Sequence, residues 1–252
     1  MAKAIARGLL QQENFTMAAA APSLTPGINK EGIHTYNNNI EVIKNADIII
    51  LAVKPAQMSL VLKEIKYSIP EHSLLISIAA GLNLSWFASL GPTEQALIRT
   101  MPNTPAALGL AATPMIANQY VNAKQKKQAE YIFSQIGLTT WAEKEEDMDT
   151  FTALSGSGPA YVFLFLETLI KAAVTLGLNE SIAKIFALQM MEGALKLAQN
   201  SDLSLNQLRT KVTSPGGTTA AALEILNEPL ENLMLSAMRA AKNRAQELGS
   251  IQ

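Results

Sequence analysis

Cysteine is absent from all 252 residues, which excludes disulfide staples, thiol nucleophiles and thiolate metal sites. Histidine is nearly as scarce. His34 and His72 are the only two, which argues against a histidine-based metal centre or catalytic triad. Charge is also sparse, at 16% of residues with a net charge of −1, so nothing draws the chain to nucleic acid or an anionic membrane. No apolar run approaches the ~20 residues of a membrane helix; the stretch over residues 161–166 is cut off by Glu167 and Lys171. The first residues, Met-Ala-Lys-Ala-Ile-Ala-Arg, lack the apolar segment of a secretory signal. These absences imply a cytoplasmic chain with no metal, no nucleic acid and no membrane partner. What the chain has in plenty is apolar residues, 48% of the total. That is ample for a packed core and argues against disorder.

The first half alternates strands with helices. Residues 1–11 read as an amphipathic helix, with Ile5 and Leu9 on one side and Lys3 and Arg7 on another. Residues 15–20 and 33–36 read as short strands. Residues 45–53 are an unbroken β-branched and aliphatic run, the pattern of a buried parallel strand. It ends at Lys54-Pro55. A helix follows over 57–66, a strand over 73–79 ending in Ala80-Gly81, a short helix over 84–90, a strand over 95–99 and a helix over 122–136. Repeated β–α units predict a parallel sheet with helices on both faces.

Composition changes at Glu143-Lys144-Glu145-Glu146-Asp147. This run reads as a solvated linker or first helical turn rather than a functional acidic patch. Beyond it no strand pattern appears. Helices are predicted over 149–154, 160–176, 179–199, 204–212, 218–226 and 229–248, with Pro159 in its favoured first-turn position and Asn179 as a cap. Several, including 161–166 and 186–191, are apolar on more than one face, which places them in a core or against another subunit. The domain boundary falls between a segment over 1–144 and a helical segment over 145–252.

The clearest ligand-directed stretch is Ser214-Pro215-Gly216-Gly217-Thr218-Thr219. Proline and two glycines form a turn without bulky side chains, and a helix opens directly after it. Free N–H groups, the positive helix end and two hydroxyls converge there, a ready site for a carboxylate or phosphate. A plain capped loop between helices explains the same residues.

Val212 to Thr219 resembles the signature loop of the pyrroline-5-carboxylate reductase family. Four other segments agree in the same order: Ala52-Val53-Lys54-Pro55, Ser77-Ile78-Ala79-Ala80-Gly81, Arg99-Thr100-Met101-Pro102-Asn103-Thr104-Pro105, and Leu154-Ser155-Gly156-Ser157-Gly158-Pro159-Ala160-Tyr161. The resemblance covers nearly the whole chain. It implies an α/β Rossmann-like N-terminal domain followed by an all-α C-terminal dimerisation domain. It also implies NAD(P)H-dependent reduction of 1-pyrroline-5-carboxylate to L-proline, and a homodimer that can assemble into a decamer of five dimers. Family members open with a strand and a glycine-rich turn ending in Gly-Asn-Met. This sequence begins at that methionine, so the first strand of the fold is expected to be missing, and with it the glycines that cradle a cofactor pyrophosphate.

The resemblance also assigns site residues. Thr219 is the catalytic contact, near the ring nitrogen or carboxylate of the substrate. Gly216, Gly217 and Thr218 hold the carboxylate, Asp202 lies near the substrate loop, and Ser157 belongs to the opposite wall. On the cofactor side stand Met1, Ala52, Val53, Lys54, Pro55, Ala79, Ala80, Gly81 and Asn103, with Asn39 toward the adenosine. Ser23 follows the second family strand, where NAD-preferring folds usually place an acid. None is present there, which favours NADPH, with NADH as the alternative. Two rivals fit less of the chain. A β-hydroxyacid dehydrogenase needs a catalytic lysine early in the helical domain, and Lys171 lies mid-helix on an apolar run. A chain that only oligomerises would explain the absent glycine loop but not the substrate loop.

Overall fold

A computed structural model of the chain describes residues 1–10, 12, 15–92 and 94–250. The chain divides into two compact units. One comprises Met1–Pro159 together with the chain from Ala240 onward, and the other is Ala160–Arg239. By packing, the division falls at Pro159.

The first unit contains α1 (Ala2–Leu9), β1 (Ala18–Ala20), β2 (Gly27–Ile28), β3 (His34–Tyr36), α2 (Asn39–Ile43), β4 (Ile48–Leu51), α3 (Pro55–Ile65), β5 (Leu74–Ser77), α4 (Leu84–Leu90) and β6 (Leu97–Thr100). After a 3₁₀ turn at Thr104–Leu108 come β7 (Ala111–Ala117), α5 (Ala123–Ser134), β8 (Gly137–Trp141), α6 (Asp147–Phe151) and a π-helical turn at Thr152–Gly156. Helix α1 stops at Leu9, and Gln11, where the predicted helix ended, lies outside the described residues.

Five strands form one sheet in the order β4-β5-β6-β7-β8, and three form another in the order β1-β3-β2. Among the described residues β1 and β4 each present one edge without a strand partner. The middle of the larger sheet, β5 and β6, is buried on both faces, which is why Leu74–Ser77 reads as a nearly continuous apolar run. Leu74 and Ile76 of β5 join Ile98, Met115, Ile132 and Phe133 on the side covered by α1 and α5. Leu75 joins Leu51, Leu97, Met58, Leu62 and Phe87 on the side covered by α3 and α4. The two-residue period of a strand sorts these side chains between two cores.

Two features depart from the sequence reading. The sheet is not wholly parallel, because β7 runs antiparallel to β6. The short link over residues 101–110 has room only for a 3₁₀ turn, not the crossover helix a parallel pair needs. Neither β7 nor β8 was predicted. Pro114 sits inside β7 between two neighbours, and proline normally argues against a central strand. The Met101 N–H donates to the Pro114 carbonyl at 3.1 Å, so the acceptor half of that residue still serves the ladder.

The second unit is helical. It holds most of α7 (Gly158–Thr175), α8 (Glu180–Gln199), α9 (Leu205–Lys211) and the first part of α10 (Thr218–Ser250). The caps follow the sequence. Asn179 accepts from the N–H groups of Ser181 and Ile182, and Ser204 forms a capping box with Gln207. The predicted break at Pro229 does not occur; α10 is one helix with that proline inside. The ring removes the hydrogen bond to Ile225, but Ile225 is 74% exposed, so water can reach that turn.

Candidate active site

Three parallel strands set the edge of the first unit where most of the predicted cofactor residues lie. β4, β5 and β6 run in one direction, so their carboxyl ends lie along one edge of the sheet. This is where ligands gather in open α/β folds. Ala52, Val53, Lys54 and Pro55 follow β4, Ala79, Ala80 and Gly81 follow β5, and Asn103 follows β6. The sheet therefore brings eight of the predicted cofactor residues to the same edge. Ala52 and Lys54 are exposed, while Ala79 and Gly81 are buried.

Gly81 has φ +80°, and a methyl group added there would stand 3.0 Å from Leu248 Cβ of α10. Both the backbone conformation and the close approach require glycine. The lining carries no bulk from residues 52, 79, 80 and 81, and Lys54 adds positive charge. Such a lining fits a nicotinamide–ribose group with phosphates nearby. Met1 is the N-cap residue of α1, and its carbonyl accepts from the N–H groups of Ala4 and Ile5. Ser23 is exposed just beyond β1, with no acid between it and the strand.

Two asparagines are tied into the fold. Asn39 donates from Nδ2 to Glu64 at 3.0 Å, while Asn38 caps α2. Asn103 is buried; its Nδ2 donates to the Ser155 carbonyl and its Oδ1 accepts from the Ala112 N–H, both at 2.9 Å. It joins the end of β6 to the π-helical turn. Met101 closes the same junction, since a methyl on Gly156 would lie 3.1 Å from its Cε. Ser157 ends that turn half-buried, its N–H donating to the Thr152 carbonyl at 2.8 Å.

The Ser214–Thr219 loop, expected from the sequence to meet the substrate, belongs to the second unit. The Gly217 N–H donates to the Ser214 carbonyl at 3.0 Å, closing a tight turn with Pro215 second and Gly216 third. Gly216 has φ +70°, the conformation a glycine third residue supplies. A methyl on Gly217 would stand 3.1 Å from the Ser214 carbonyl and would displace the Ser214 hydroxyl, so space at this glycine is tight. α10 opens at Thr218, and the amides of a first turn have no acceptor within their own helix. Thr219 is half-buried and Thr218 exposed. Asp202 is exposed between α8 and α9, and Ser204, not Asp202, caps α9.

The acidic run contains residues that sequence reasoning missed. Glu145 is not a solvated charge. It accepts from Arg99 Nη1 at 2.8 Å, and Arg99 is 3% exposed. Asp149 stands 3.7 Å from the other guanidinium nitrogen. The available signal was an arginine inside the otherwise uncharged strand Ala96-Leu97-Ile98-Arg99-Thr100, because a charge in a buried strand requires a partner.

Residues 1–81 match the family described as NADP oxidoreductase, coenzyme F420-dependent, and residues 145–248 match pyrroline-5-carboxylate reductase dimerisation. A nicotinamide-nucleotide oxidoreductase with a Rossmann-like domain and a helical dimerisation domain is the class that fold and site define. A pyrroline-5-carboxylate reductase of Vibrio alginolyticus is 35% identical over 255 residues, covering 98% of this chain and 94% of that protein. The solved structure of the Coxiella burnetii pyrroline-5-carboxylate reductase superposes with TM-score 0.90 at 37% identity, covering 98% of this chain and 94% of the other. That of the Plasmodium falciparum enzyme, with NADP bound, gives 0.87 at 33% identity with the same coverage. The chain belongs to the pyrroline-5-carboxylate reductase family.

One stretch, Asp147–Thr175, is long and apolar enough by length and composition to cross a membrane, contrary to the sequence reading. The bend at Ser157 and the charged residues Asp147, Asp149, Glu167 and Lys171 interrupt it. The dimerisation match covers it entirely.

Proposed function

We propose that this chain reduces 1-pyrroline-5-carboxylate to L-proline with NADPH, the last step of proline biosynthesis, in the cytoplasm. The observation that carries the reading is the Ser214–Thr219 turn, which delivers glycine amides and two hydroxyls to the start of a helix in a chain of this family. A bound nicotinamide supplies the hydride. Residues 52–55, 79–81 and Asn103 hold that cofactor, with Met1 and Asn39 assigned to its remaining parts. The Thr218 amide and hydroxyl receive the substrate carboxylate beside the Gly216–Gly217 turn, favoured by the positive helix end, while the Gly217 N–H keeps the turn closed on the Ser214 carbonyl. The Thr219 hydroxyl is the catalytic contact at the ring nitrogen or carboxylate, and it holds the ring for transfer. Asp202 and Ser157 are assigned further substrate contacts. A protonated imine is already electrophilic, so no strong acid is required. That suits a chain without cysteine and with two exposed histidines.

Ser23 and the absence of an acid after β1 support NADPH over NADH, because a 2′-phosphate meets no repulsion there. The exposed apolar faces of α7, α8 and α10 support a homodimer, with a decamer of five dimers as the higher assembly. The test is NADPH oxidation with pyrroline-5-carboxylate, with proline identified as product and mass measured by light scattering. Cofactor binding without turnover of this imine would overturn the substrate assignment.

A further inference from the structure

Among the described residues of the first unit, Arg99, Glu145 and Asp149 form the one cluster whose charges are largely withdrawn from water, with side-chain exposures of 3%, 28% and 16%. Ion pairs of this kind add little net stability over an apolar core of equal volume, so stability alone is a poor account of why a guanidinium sits in the strand. Its connections give a better one. Glu145 accepts from Arg99 and also, through both carboxylate oxygens at 3.2 and 3.1 Å, from the Leu84 N–H at the start of α4. Leu84 stands three residues after Gly81. Asp149 lies in α6, which runs directly into the π-helical turn carrying Ser155 and Ser157. Asn103 meets the same turn from the end of β6, and Met101 packs on Gly156. One guanidinium therefore links the loop after β5 to the turn after α6, each by a charge-assisted contact.

We propose that Arg99 is a positioning residue for the reaction. Through Glu145 and Asp149 it holds the 79–81 loop and the 155–157 turn in one fixed arrangement at the carboxyl end of the sheet. This rests on the functional reading above, which assigns the loop to the cofactor and the turn to the substrate. The guanidinium presents two nitrogens to two carboxylates in a planar fork. A lysine ammonium matches the charge but not the fork. Loss of the fork misplaces both walls, and sub-ångström to ångström errors of position cost roughly 10- to 100-fold in rate.

The test uses the full chain with Arg99→Lys, Arg99→Gln and Glu145→Gln. Amide hydrogen exchange is followed at Leu84, Trp86 and residues 155–157, NADPH affinity by quenching of tryptophan emission, and steady-state kinetics alongside. Expected for Arg99→Gln are faster exchange at both the loop and the turn, NADPH affinity weakened about tenfold, and kcat reduced roughly 10- to 100-fold with full active-site occupancy. Arg99→Lys should recover part of the loss. A merely structural role would lower the melting temperature and the folded fraction while leaving KM for NADPH and local exchange in the folded protein unchanged, and that result overturns the proposal. Should Arg99→Gln fail to fold, Glu145→Gln decides, because it keeps shape and one acceptor while removing the charge. Exchange at Leu84 identical to the unsubstituted protein would then overturn it. If the unsubstituted chain binds NADPH but does not reduce pyrroline-5-carboxylate, the functional reading fails. The exchange and affinity shifts still judge the role of Arg99.

Discussion

The two units of this chain bury their apolar residues by different means. In the first, a two-faced sheet gathers Met58, Leu62, Leu74, Ile76, Leu82, Ile98, Phe133 and Met115 with next to no exposure, and the helices covering it come from the same chain. In the second, Ala183 and Ala187 are the buried residues of α8, and α7 has none. Phe163 is 61% exposed, Phe186 71% and Leu233 67%. A helix apolar all round without cover is a surface prepared for another protein, and the dimerisation match spans this region. The first unit closes its core within one chain, whereas the second leaves its apolar faces exposed, the faces that the proposed homodimer covers. Stability in the first should be a property of the polypeptide, and stability in the second a property of concentration.

The sharpest way to break the comparison is at Gly81. Gly81→Val forces a β-branched residue into φ +80° against Leu248. We expect loss of NADPH binding by more than about 100-fold and destabilisation of about 2–4 kcal/mol, read by fluorescence titration and urea melts. Retention of tight cofactor binding would show that the 79–81 loop is not the cofactor wall. Next, Phe163→Asp with Phe186→Glu should convert the dimer to monomer in sedimentation and lower the melting of the helical unit. The sheet unit should keep its protection in hydrogen exchange. Equal loss in both units would remove the distinction drawn between them. Thr219→Val preserves shape and removes the hydroxyl. It should cut kcat roughly 10- to 100-fold, the range for one lost hydrogen bond to a charged group, without changing the oligomer. Ser23→Glu should turn the preference toward NADH by about tenfold, since a carboxylate there binds a ribose 2′-hydroxyl and repels a 2′-phosphate; an unaltered ratio of kcat/KM values removes Ser23 from the cofactor site.

The smallest effect concerns a surface pair in the second unit. Lys196 donates to Glu192 and sits beside it as an opposite charge, which holds that carboxyl below its usual value. A depressed carboxylate contributes above its unfolded pKa and loses the contribution as pH falls through the folded one. Solvent screening leaves such a pair little weight. Lys196→Met should leave the melting curve at pH 7 unchanged within error, and any difference should shrink further on acidification.

Much of this was legible because it is local. The run over residues 45–53 could only be a buried strand, and Ile48–Leu51 is one. Asn179 and Ser204 act as caps because a side-chain oxygen reaches the next N–H groups whatever lies elsewhere. The turn at Ser214–Gly217 follows from proline and glycine geometry. What was illegible depends on distant partners. Pro114 hid β7, since only its place between β6 and β8 makes a proline tolerable there. Pro229 suggested two helices where α10 is one. Glu145 looked like one solvated charge among five, because its partner lies 46 residues earlier.

The sequence by itself determined the class of each half, the caps, the glycine turns and the family, because periodicity, side-chain reach and backbone freedom act over a few residues. Only the tertiary structure decided the reversal of β7, the edges left at β1 and β4, and the pairing of Arg99 with Glu145 and Asp149. Each is settled by which distant backbone or charge satisfies a buried polar group, and no local pattern carries that information.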